Sequence, residues 1–124
     1  MSAPNIVNIT SIYGKTVFDA DISTSDDAIL TNAANSNKLL KVNSLIISNI
    51  DGSTGADITV TIKDASGALK AKLAHTITVP ADATLVVISK DSAIYLEENM
   101  AIHLDASAAG DLAAVCSYEE MDDA

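Results

Sequence analysis

Thirty residues, Thr76 to Asp105, hold four apolar runs: Thr76 to Val79, Thr84 to Ser89, Ala93 to Leu96 and Met100 to Leu104. Pro80-Ala81-Asp82, Lys90-Asp91-Ser92 and Glu97-Glu98-Asn99 separate them, and each is rich in residues that favour turns. Runs this short cannot be helices that bury a stripe, so the stretch constrains the chain to β-structure. It reads as a meander through the core of a small domain.

The same grammar extends outward. Asp57 to Asp64 alternates with period two, Ile58, Val60 and Ile62 inward and Thr59, Thr61 and Lys63 outward. Lys38 to Ile50 is apolar on both faces near its middle, the pattern of a central strand covered on both sides or of one that passes between sheets. Asp64-Ala65-Ser66-Gly67 reads as a hairpin-like turn, and Ala68 to His75 as a strand by its neighbourhood, although Ala, Leu and Lys also suit a helix. Leu112 to Tyr118 places Leu112, Ala114, Cys116 and Tyr118 on one face.

About eight short strands at regular turn spacing give an all-β fold, a single antiparallel β-sandwich of jelly-roll type. The division is residues 1–25 as an N-terminal arm and edge strand, 26–118 as the sandwich and 119–124 as an exposed acidic tail. Within the first segment, Met1 to Tyr13 reads as an arm, Gly14-Lys15 as a turn and Thr16 to Ile22 as a strand.

Composition enters through the core and the charge. With 48% apolar residues, 3% aromatic and no Trp in 124, the core is aliphatic and light, which favours completion by subunit contacts. A net charge of −10 with every basic residue a lysine argues against nucleic acid and anionic membranes as partners. The single Cys116 excludes an internal disulfide, the N-terminus lacks a secretory pattern, and no apolar stretch nears the roughly 20 residues that span a bilayer. These point to cytoplasmic synthesis.

No chemical constellation stands out. His103 and Asp105 share a strand face but lack further metal ligands. Asp51 to Asp57 opens like a calcium loop, yet Ile62 stands where a bidentate Glu belongs. Glu97-Glu98 and Glu119-Glu120 are neighbours that point to opposite faces, leaving only a cross-pair such as Glu97 with Glu119 for acid chemistry. Gly14-Lys15-Thr16 lacks the upstream glycine of a phosphate loop, and Cys116 reads as a small buried hydrophobe. No enzyme, cofactor or metal site is expected.

The segments LIISNIDGSTGADITVTI, ITVPADATLVVISKDSAIYLEENMAIHLDASAAGDL and AVCSYEE resemble small virion structural proteins of marine tailed phages, particularly those of cyanobacteria, over roughly Lys38 to Glu120. The resemblance implies a sandwich or jelly roll present in many copies on a phage particle, and no catalytic residues. The expectation is therefore a capsid decoration, or cement, protein acting as a homotrimer on the major capsid protein. Its N-terminal Ile6, Val7, Ile9, Ile12 and Tyr13 would make partner contacts by strand addition. The alternatives are a neck, tail or fibre protein of the virion, and a bacterial surface or carbohydrate-binding module.

Overall fold

A computed structural model describes residues 5–122; Met1 to Pro4 of the expected arm and Asp123-Ala124 of the expected tail lie outside them. Among the described residues the chain forms nine strands: β1 (Ser11–Asp19), β2 (Asp27–Asn32), β3 (Lys38–Asn49), β4 (Ala56–Asp64), β5 (Leu69–Val79), β6 (Thr84–Ile88), β7 (Ile94–Leu96), β8 (Met100–Ala106) and β9 (Leu112–Asp122). Single 3-10 turns sit at Ile6–Asn8 and Lys90–Ser92.

Two antiparallel sheets face each other. The first runs β1-β9-β3-β6, with β7 also on β3, and the second runs β2-β8-β4-β5. The chain alternates between them, and only the β4–β5 and β6–β7 connections stay within one sheet. This is the winding of a jelly roll. Its core is the interleaved aliphatic set of both inner faces, including Val42, Leu45, Ile47, Ile58, Val60, Leu96, Ile102, Leu104, Leu112 and Cys116.

The expected meander does not exist. β5 and β8 lie in one sheet and β6 and β7 in the other, and the latter two pair in tandem with β3 rather than with each other. The runs and turns are local, but their partners are distant, so spacing could mark the strands and not their pairing. β5 also begins earlier and continues through Thr76, whose φ of 46° kinks the strand at the register shift between the Ile58–Ile77 and Val60–Ala74 pairs. That kink, unusual for a β-branched residue, made one strand read as two.

β3 resolves its own ambiguity in a third way. It stays in one sheet, but Asn43 is an extra residue between the Val42–Tyr118 and Ser44–Ser117 pairs. The bulge shifts the side-chain phase by one. Leu40 and Val42 point inward before it, Leu45 and Ile47 after it, and all four are buried.

The two ends differ from expectation. Gly14-Lys15 is no turn: β1 runs straight through it against β9. Glu119 to Asp122 are no free tail either, because β9 continues through them between β1 and β3, and Met121 is buried. Hydrogen bonding along two neighbours holds these acidic residues in place.

Candidate interaction surface

Register places a continuous apolar row across the outer face of the first sheet. Phe18 of β1 stands opposite Val115 of β9, Val115 opposite Ile46 of β3, and Ile46 opposite Val86 of β6. Their neighbours Val17, Cys116, Leu45 and Ile47 point into the core, so strand alternation forces this row outward. Phe18 is 74% exposed, Val86 55% and Val115 42%. With strands about 4.8 Å apart, the row is about 14 Å long.

The rows on either side are small and uncharged: Thr16, Ser117 and Ser44 on one, Ala113, Ser48 and Thr84 on the other. One row further, Gly14, Glu119, Lys41 and Tyr95 align. Glu119 and Lys41 form no ion pair among the described residues. A chain with ten excess negative charges thus keeps one broad face almost free of them. Apolar patches of this kind mark sites of association.

The N-terminal residues expected to bind partners do not form one surface. Ile6 and Val7 sit on the 3-10 turn, 52% and 84% exposed, with Asn5 Oδ1 accepting the Val7 amide. Ile9 is half-buried. Ile12 and Tyr13 belong to β1 itself and, as neighbours on a strand, point to opposite sides. Ile12 shares the apolar outer face, in register with Met121 and Leu39. Tyr13 instead lies beneath Lys15, whose Nζ is 5.9 Å from its ring centre and 3.2 Å from Glu120 Oε2. Lys38 Nζ reaches the same oxygen at 3.5 Å.

β1 stands at the edge of its sheet, where a further strand could add. Phe18, Val115, Ile46 and Val86 escaped the sequence reading because they come from four distant segments. A signal was present in β9: once Leu112, Ala114, Cys116 and Tyr118 face inward, Val115 is left as an outward apolar residue.

His103 and Asp105 do share the outer face of the second sheet, where His103 Nδ1 lies 3.7 Å from Asp26 Oδ1 and Lys63 also contacts Asp26. No group of three His, Cys, Asp or Glu suited to a metal occurs among the described residues. Asp51 forms an Asx turn, its Oδ1 accepting the Ser53 amide at 2.9 Å and hydroxyl at 3.0 Å. These bonds lower its pKa, while desolvation and the adjacent Asp51 raise that of Asp111.

Glu120 is taken by the two lysines, and Glu98 Oε2 accepts the Asn37 amide at 2.6 Å. Gly14-Lys15-Thr16 lies within a strand, not in a loop of the shape a phosphate needs. Burial pushes the Cys116 thiol up to about 11, the opposite of what an attacking thiolate requires. No helix among the described residues is long and apolar enough to cross a membrane. The chain matches no protein-family model and no curated protein.

Proposed function

We propose that this protein is a non-enzymatic structural subunit of a tailed-phage particle, a capsid decoration protein that works as a homotrimer on the major capsid protein. The observation that carries the reading is the charge-poor outer face crossed by the apolar row of Phe18, Val115, Ile46 and Val86. An acidic, lysine-only chain remains soluble through its charge and reserves this face for contacts between subunits or with the shell. The same charge makes packaged nucleic acid an unsuitable partner.

The mechanism is linkage: a subunit that binds the expanded shell and not its unexpanded or broken forms stabilises the expanded one. Weak footprints on several subunits of a rigid oligomer then add through multivalency. Residues 5–10, with Ile6 and Val7 exposed ahead of the β1 edge, are the segment suited to reach a neighbour.

Light scattering of the purified protein and co-sedimentation with stripped phage heads test the proposal. A trimer that pellets with heads in hundreds of copies supports it; a monomer that ignores heads overturns it. A dozen copies at the neck would keep the particle and reject the decoration role. Removing residues 1–10 leaves β1 intact and is expected to abolish pelleting while the sandwich stays folded.

A further inference from the structure

The opposite sheet carries a different kind of surface. On its outer face, Thr59, Thr61 and Lys63 of β4 form the floor of a furrow of about 290 Å³. Gly67 and Leu69 close one end, Lys72 of β5 lies along one side, and Asp26 and Asp105 along the other. A second depression of about 130 Å³ shares Thr59 and Asp105 and continues the furrow towards Thr76 and Ser107.

Several polar groups here are not committed to the fold. Asp105 is half-buried, and its carboxylate has no hydrogen bond or ion pair among the described residues. Thr61 is 5% exposed and its hydroxyl has no partner among the described residues, although such groups are ordinarily satisfied. Among the described residues Lys72 Nζ meets only His75 Nδ1, at 3.3 Å. Thr59 Oγ1 accepts the Thr76 amide at 3.0 Å, which leaves its own proton to donate. Leu69, 52% exposed, adds an apolar rim.

We infer that this furrow binds a neutral, hydroxyl-rich ring, a saccharide, through Asp105, Lys72 and Thr59 with Leu69 against its apolar face. The chemistry selects against the alternatives. An anion would meet Lys72 but also Asp26 and Asp105. A metal cation would find Lys63 already on Asp26 and too few ligands. An apolar ligand would bury the uncommitted carboxylate and ammonium without partners. Sugar hydroxyls both donate and accept, so those on opposite sides of one ring satisfy a carboxylate on β8 and an ammonium on β5 together at no net charge.

The furrow lies on the sheet opposite the proposed association face, so the inference stands on the isolated subunit and does not require the particle. Were the subunit arrayed on a shell, weak individual sites would act together.

The test is an amide NMR titration of the full chain with methyl α-glucoside, methyl α-mannoside and methyl α-galactoside, beside acetate, inorganic phosphate, glycine and calcium chloride. The expected result is saturable shifts at Thr59, Thr61, Lys72 and Asp105 with at least one glycoside. Asp105→Ala should weaken that binding about tenfold or more. Lys72→Met, at an exposed position of β5, should weaken it as well. Unchanged furrow amides with all three glycosides overturn the inference, as does equal binding by Asp105→Ala. A response to acetate, phosphate, glycine or calcium in place of the sugars also overturns it.

Discussion

Asn32 and Asn49 are two of the few buried polar residues, and they do the same job at the two ends of β3. Asn32 Nδ2 donates to the carbonyls of Lys38 and Leu96, both at 2.9 Å, and its Oδ1 accepts the Ser36 hydroxyl at 2.5 Å. Asn49 Nδ2 donates to the carbonyls of Thr54 and Val79 at 3.0 and 2.9 Å, and its Oδ1 accepts the Asp51 amide at 2.8 Å. Each amide thereby ties a loop down and links one sheet to the other. Only a group with two donors and an acceptor in one plane can do this. Asn49→Asp keeps the size but turns a carboxylate towards two buried carbonyls. It is expected to destabilise the fold by about 2–4 kcal/mol, read as a lowered urea midpoint with unchanged slope.

At the level of elements, the bulge in β3 decides which side chains are core. Deleting Asn43 would restore strict alternation and force either Leu40 and Val42 or Leu45 and Ile47 out of the interior. Exposing two such side chains costs about 3–6 kcal/mol, a large part of the total for a domain of this size. We expect the deletion variant to be unfolded or molten, with the dispersed amide spectrum lost. This element also shows what the sequence could convey. β4, β8 and β9 were legible because one face of each is buried and period two survives. The bulge, the Thr76 kink and the continuation of β9 through Glu119 and Glu120 were not, because each depends on a partner strand many residues away. The apolar outer row failed for the same reason: no local window contains two of its strands.

For the whole molecule, the two outer faces divide the surface by chemistry. The first sheet presents an apolar row in a charge-poor field, the second a furrow of acids, lysines and hydroxyls. Phe18→Ser with Val115→Ser is expected to leave thermal stability of the isolated subunit within about 0.5 kcal/mol, since both residues are exposed. The same pair should break the oligomer, measured as a fall to single-subunit mass by light scattering. An oligomer that survives would move the subunit contact to the β1 edge.

The antiparallel pairing of β1 with β9 has a topological consequence. Ser11 stands opposite Asp122, and the Thr10 amide donates to the Asp122 carbonyl at 3.0 Å, so the described chain nearly closes on itself. A short peptide joining residues 10 and 122 would make the backbone a ring without moving a strand. New ends could then be cut at the exposed Asp64–Gly67 turn. A fused cargo would leave from there, at the turn between β4 and β5, instead of from beside β1.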